Sequence, residues 1–295
     1  MRDPTFTVIV PTYERPELLA QTLQSILAQT VEDFECLVVD DASPHPAAVP
    51  DDARIRLLRL NENRGEPAAR NAGLAAARGR YVTFVDDDDL YTPDRLAIAL
   101  EALRRAPVAV CWRRGLDGST GGNRVLEGIV HDTILDAMTP QMGQVAIVKD
   151  VAPSFNESFS ALTDVEWWLR VAASTPFATA PKVGLLYRKH NGPRNRNGIA
   201  ERVRCSHLLL EEHADYFASH PAAKAFRWKR IGLMNQRLGN YSAARLAFLK
   251  SLRLHPELAS VAHFVRSIRR TTWVNDHVDS VDPRKRERIA KSRSN

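Results

Sequence analysis

The chain has 295 residues, 44% of them hydrophobic, which is room for one large α/β domain or one domain with a smaller appendage, around a sizeable core. Its 41 Lys and Arg outnumber 35 Asp and Glu, a formal net charge of +6 that favours anionic partners without requiring nucleic acid. Three widely spaced cysteines, Cys36, Cys111 and Cys205, fit neither a disulfide framework nor a thiolate zinc site, and no apolar stretch reaches the roughly 18 residues that span a bilayer.

The start, Met1-Arg2-Asp3-Pro4, has no apolar signal segment and leads straight into a strand, Phe6 to Val10, so a soluble cytoplasmic protein is expected. The turn Pro11-Thr12-Tyr13-Glu14-Arg15-Pro16 hands over to a helix from Glu17 to Gln29, where Leu19, Leu23, Ile26 and Leu27 recur at helical spacing. Phe34 to Val39 is a second strand and ends in Asp40-Asp41. Pro44, Pro46 and Pro50 then forbid regular structure. Arg54 to Leu60 alternates as a third strand, and after a polar turn Glu66 to Arg78 is an Ala-rich helix with Gly73 as its weak point.

Tyr81 to Val85 reads as a strand buried on both faces, and it stops at four adjacent carboxylates, Asp86 to Asp89. Buried anions need a partner or a proton, so the run belongs at the strand's carboxyl end, the edge where open α/β sheets bind ligands. Parallel strands share that edge, which lets Asp41 and Asp88 face one crevice. Clustered hard oxygens suit Mg²⁺ or Mn²⁺. A solvated turn before a helix is the plainer reading, with Thr92-Pro93-Asp94 as its cap.

A helix from Pro93 to Arg105 and a strand from Val108 to Trp112 follow, then a glycine-rich connection, Gly115 to Gly128, of the length expected for a mobile loop beside a site. Gly143 to Lys149 and Lys182 to Tyr187 are further strands, and a helix opens at Thr163-Asp164-Val165-Glu166-Trp167-Trp168. Asp164 opening a helix is by itself an ordinary N-cap, and Glu166 and Arg170 stand four apart as a surface ion pair would. From about Ile199 the pattern is continuously helical, with one tetratricopeptide-like pair around Gly239-Asn240-Tyr241, read as a cap or a dimerisation element. The divisions expected are 1–198, an α/β domain with a mostly parallel sheet flanked by helices; 199–272, an all-α extension; and 273–295, a disordered basic tail. From Arg266 onward nine basic residues face four acidic ones, which suits contact with anionic lipid at the inner face of a membrane.

These pieces in this order resemble the family 2 glycosyltransferases of the GT-A fold. The resemblance runs from about Phe6 to Asn191 and rests on Val8-Ile9-Val10-Pro11-Thr12-Tyr13-Glu14-Arg15-Pro16, Val38-Val39-Asp40-Asp41-Ala42-Ser43, Ala69-Arg70-Asn71-Ala72-Gly73, the Asp86 run, and Thr163 to Trp168. It implies metal-dependent, inverting transfer of a sugar from a nucleoside diphosphate donor, UDP foremost, to a hydroxyl of a carbohydrate or lipid-linked acceptor in cell-surface polysaccharide synthesis. Pro11, Tyr13 and Glu14 then fall at the base and ribose, Asp41 at the base, and Asn63 and Arg70 at donor contacts. Asp86 matches the ribose contact, with Asp87 the alternative because four acids in a row allow a shift of one residue. Asp88 matches the metal ligand, joined by His190. Asp164 matches the general base, while Thr163 stands where the family carries Glu, which puts the base's supporting carboxylate in doubt. Trp167 and Trp168 are read as acceptor-pocket walls, one of them in the core.

Two other readings compete. A sugar nucleotidyltransferase shares the sheet and the acids but needs a glycine-rich loop after the first strand, and Pro11 to Pro16 contains no glycine. A catalytically silent scaffold would bind partners through the helical end.

Overall fold

The computed structural model describes residues 3–135, 139–189, 196–256 and 260–267, apart from the side chains of residues 196 and 197. The chain divides into two compact units, Met1–Pro193 and Arg194–Asn295.

In the first unit, apolar segments too short and β-branched for helices pair into one eight-stranded sheet. The strands are β1 (Phe6–Thr12), β2 (Phe34–Asp40), β3 (Ile55–Arg59), β4 (Tyr81–Phe84), β5 (Leu90–Tyr91), β6 (Val108–Gly115), β7 (Val145–Val148) and β8 (Phe177–Tyr187), in the order β3-β2-β1-β4-β7-β6-β8-β5. β1, β2, β3 and β4 are mutually parallel, β7 is antiparallel to β4 and β6, β8 runs parallel to β6, and β5 pairs antiparallel with β8. Helices α1 (Pro16–Leu27), α2 (Glu66–Ala76), α3 (Arg95–Leu103) and α4 (Thr163–Ala172) complete the unit. β1 and β2 are buried at every position, as strands covered on both faces must be. Helix α2 approaches β1 so closely at Gly73 that a Cβ there would lie 2.5 Å from Ile9 Cγ2. The helix-weakening glycine is the contact that seats the helix.

The strand order places β1 between β2 and β4. Asp41 N donates to Thr12 O at 3.0 Å and Val85 N donates to Ile9 O at 3.1 Å. The turn after β1 is therefore flanked by the two acidic strand ends, at the point where chain order reverses and open sheets leave a crevice.

Two elements depart from the sequence expectation. β8 starts at Phe177, five residues before the anticipated Lys182, because pairing with β6 carries it through Pro181, where the register with β6 shifts near Trp112. β5 is a two-residue strand inside what reads as a turn, and α3 begins at Arg95 with Asp94, not Thr92, before it. Thr92 Oγ1 instead donates to Asp94 Oδ1 and Val183 O. Cys36, Cys111 and Cys205 are buried and free.

The second unit holds α5 (Arg196–Glu212), α6 (Ala214–Ser219), α7 (Pro221–Leu238) and α8 (Tyr241–Leu254). α7 and α8 form an antiparallel pair turned at Gly239, and Ile231, Met234 and Ala247 make its small core. No helix among the described residues is long and apolar enough to cross a membrane. The basic tail lies outside them.

At the amino edge of the sheet, Glu35 is 2% exposed. It accepts from Thr7 Oγ1 at 2.9 Å, Arg78 N at 2.7 Å and Arg56 Nη1 at 2.9 Å, and pairs with Arg78 Nη2 at 2.7 Å. Burial pushes its carboxyl up, but the bonds from Arg78, Thr7 and Arg56 outweigh that and hold it below the ordinary 4.5. A carboxylate lowered on folding stabilises above the ordinary value and loses that contribution as pH falls through the folded one. Glu35→Gln is expected to cost about 2 kcal/mol at pH 7 and to flatten the decline in stability below about pH 4.5, read by urea unfolding across pH.

Candidate active site

The carboxyl edge of β1, β2 and β4 opens into a cleft of about 330 Å³ lined by Pro11, Thr12, Tyr13, Arg15, Asp41, Glu66, Ala69 and Asp86 to Asp88. Tyr13 keeps 40% of its surface exposed at the rim. Among the described residues of this unit three non-glycine residues take positive φ, Glu14 at 52°, Ala42 at 59° and Leu162 at 63°. They stand in the turn after β1, directly after Asp41, and directly before the α4 helix that carries Asp164. Such strain persists only where surrounding contacts over-determine the backbone, and here Glu14 N donates to Ser43 Oγ at 3.0 Å.

The four acids after β4 have four different surroundings. Asp86 keeps 45% of its side chain exposed and accepts from Arg70 Nη2 at 2.8 Å. Asp87 is enclosed, with Oδ2 taking Thr12 Oγ1 at 2.8 Å and Oδ1 taking Arg15 Nη1 at 3.0 Å; burial leads in pushing its carboxyl up. Asp88 Oδ2 takes the same Arg15 nitrogen at 2.9 Å. Asp89 turns inward, accepts from Arg188 N at 2.8 Å, and is pushed up to about 8 by burial and the charge of Asp86. Arg188 also donates from Nε to Asp88 O at 3.1 Å, so the end of β8 is tied to the acidic run.

Arg70 departs from the solvated charge that its Ala-rich helix suggests. It is 2% exposed, joins Asp86 and Glu66, and lies 5.3 Å over the Phe155 ring. Burial would lower its proton affinity, but Glu66, Asp86 and Asp164 raise it, so the cation is secure. Asp41 accepts from Arg64 N at 2.9 Å and Gly65 N at 2.7 Å, which fixes the entry to α2. Its neighbour Asp40 is fully buried and holds Ser43 N and Ala47 N, a loop anchor.

Other expected site residues lie further off. Glu14 lines an adjoining recess of about 220 Å³ with Ser43, His45 and Pro46. Asn63 is exposed on the turn before α2. Asp164, at the start of α4, is half-buried, and its charge acts on Arg70, Glu66 and Arg113. His190 lies outside the described residues. Trp167 and Trp168 are not pocket walls: both are fully buried, with indole N–H groups donated to Pro153 O at 2.7 Å and Pro140 O at 2.9 Å, and Phe155 stacks on Trp167 at 5.3 Å. Glu166 does pair with Arg170, at 2.6 Å, but from a buried position rather than the helix surface. Thr12, Arg15, Glu66 and Arg188 were not singled out by sequence; of these, only Glu66 carried a readable signal, standing four residues before Arg70.

Asp86, Asp88 and Asp89 each place an oxygen within 4.8 Å of the others. Three hard oxygens converging at one edge of a polar cleft fit Mg²⁺ or Mn²⁺.

Residues 7–150 match the family described as Glycosyl transferase family 2. A relative from Rhizobium meliloti, succinoglycan biosynthesis protein ExoO, is 42% identical over 103 residues, covering 33% of this chain and only 29% of that protein. Among solved structures, S. aureus TarS 1–349 in complex with UDP-GlcNAc superposes with TM-score 0.62 at 18% identity, covering 89% of each chain. A mannosyltransferase from Pyrobaculum calidifontis, in complex with GDP-Man and Mn²⁺, does so at 0.55 and 21% identity, covering 90% of this chain and 80% of the other. At those identities the likeness is one of fold, and the fold is of the GT-A type.

Arg70→Leu strands Asp86 and Glu66 without their shared cation. Because each keeps about half its side chain in water, the expected loss is about 2 kcal/mol in urea unfolding, below that for a fully buried pair.

Proposed function

We propose that the chain, whose residues 7–150 match glycosyl transferase family 2, moves a sugar from a nucleoside diphosphate donor, UDP foremost, to an acceptor hydroxyl with inversion at the anomeric carbon. The observation that carries this reading is the cleft itself, where acids with distinct surroundings at the end of β4 face Pro11 to Tyr13 and Asp41 across about 330 Å³. That volume is of the size that holds a small ligand.

In this reading Tyr13 and Pro11 flank the base, and Asp41 accepts from it at the end of β2. Asp86, the exposed member of the run, takes the ribose; Asp87 braces the floor, since both its oxygens are already held by Thr12 and Arg15. Arg70 fixes Asp86 in place. Asp88, with Asp86 or Asp89, would hold Mn²⁺ or Mg²⁺, which when bound supplies stabilisation of the negative charge growing on the diphosphate leaving group. Asp164 takes the proton of the attacking hydroxyl, the role a carboxylate within hydrogen-bond reach of an acceptor can fill. That Arg70 on α2 and Arg113 on β6 both feel its charge supports this.

A thermal-shift series with UDP-, GDP- and dTDP-sugars, with and without Mn²⁺, tests the donor. A bound donor at about 100 times its Kd adds about 2.7 kcal/mol, and a flat series across all three nucleotides refutes the reading. Asp164→Asn is expected to lower transfer by 10² to 10⁴ or so while leaving donor affinity unchanged, the range for loss of a general base. Equal loss of donor binding would assign Asp164 to structure.

A further inference from the structure

Arg95 and Arg113 are both buried cations of the first unit without an ion pair among the described residues, but Arg95 donates to Gly143 O and Thr83 Oγ1 while the Arg113 side chain donates to nothing. Arg113 lies near the carboxyl end of β6, is 4% exposed, and its Nε is fully buried with no hydrogen-bond partner. Among the described residues its side chain has no ion-pair or hydrogen-bond partner. Its guanidinium lies 5.1 Å over the Tyr187 ring at the end of β8. The turn after β6 folds back over it: Asn123 accepts from Arg113 N at 2.8 Å and donates to Arg113 O at 3.0 Å. Gly122, at φ 71°, passes so near that a Cβ there would sit 2.6 Å from Arg113 Nη2. The connection expected to be mobile is thus stapled down over a cation. Burial lowers its proton affinity, and Tyr187, Asp89 and Asp164 oppose that, the two acids from beyond pairing distance.

Burying a cation without a matched anion opposes folding, and it is retained only where something else requires it. β1, β2 and β4 supply the nucleotide half of the edge, so β6 and β8 are the half left to the acceptor. Asp164 is felt by Arg70 in one half and by Arg113 in the other. We propose that Arg113, backed by the Tyr187 ring and roofed by the Gly122 turn, is an acceptor subsite that binds an anionic group, a carboxylate or a phosphate, carried by the acceptor next to the reacting hydroxyl. A planar guanidinium with free N–H groups offers the fork that both anions match, and the aromatic face holds it in orientation. The proposal rests on the transferase reading of the cleft.

The test uses the full chain and three probes: inorganic phosphate, methyl α-D-glucuronide and, as neutral control, methyl α-D-glucoside. UDP with Mn²⁺ is titrated first by calorimetry; its failure to bind sinks the donor reading and leaves the anion titration to be read by itself. With UDP and Mn²⁺ saturating, wild type is expected to bind phosphate or the glucuronide and not the glucoside, and which of the two binds tells a phosphorylated acceptor from an acidic sugar. Arg113→Met removes the charge and keeps the stem. It is expected to melt at or above the wild-type temperature, to weaken the anion probe by about tenfold or more, and to leave UDP affinity unchanged. Absence of probe binding by wild type, an Arg113→Met protein with undiminished probe binding, a parallel loss of UDP affinity, or a variant that fails to fold would each overturn the proposal, the last two by assigning Arg113 to the donor or to the core.

Discussion

Like charges at the end of one strand repel, and the first unit is arranged so that the carboxylates of Asp86 to Asp89 meet three different answers to that repulsion. Arg15 bridges Asp87 and Asp88, Arg70 holds Asp86, and Asp89 is turned inward onto Arg188 N, where burial pushes it toward its protonated form. These partners, two guanidinium groups and one backbone N–H, come from the turn after β1, from α2 and from the end of β8. The acidic run is therefore the point where distant parts of the chain are fastened together, and the cleft is what remains between them.

The strand order decides where this happens. With β1 lying between β2 and β4, the turn from Pro11 to Arg15 has an acidic strand end on either side. Inserting the antiparallel β7 between β4 and β6 separates the part of the edge formed by β1, β2 and β4 from the part formed by β6 and β8. Helix α4 carries Asp164 to where both parts feel its charge. A division of the carboxyl edge into two parts thus follows from the order of strands, before any side chain is considered. The buried wall of Phe84, Phe155, Trp167 and Trp168 supports it, with Phe84 meeting Phe155 and Trp167 edge-on.

Much of this was legible in the chain because the signals are local. Apolar runs of five or six residues mark β1, β2 and β4, the last two ending in acids, and the run of helical periodicity marks α1, α2 and the second unit. β5 and the first half of β8 were not legible, since a two-residue strand and a strand through Pro181 owe their pairing to partners and carry little propensity of their own. Arg70 reads as a solvated charge on an Ala-rich helix, and only the packing of α2 against β1 at Gly73 turns it inward. The tryptophans err the other way: two aromatics beside a candidate base suggest a pocket, yet both face the core.

By itself the sequence determined the elements and the site's composition: a parallel-rich sheet, acids at the carboxyl ends of β2 and β4, and a helix opening with Asp164. Periodicity and abrupt changes of polarity are properties of neighbours in the chain, so they survive without the fold. Only the tertiary structure decided which acid has which partner, that Asp87 is braced while Asp86 stays open, and that Arg113 is buried with no paired anion among the described residues. Those are facts about residues 16 to 75 positions apart or more, and long-range pairing and desolvation leave no mark on any local stretch of sequence.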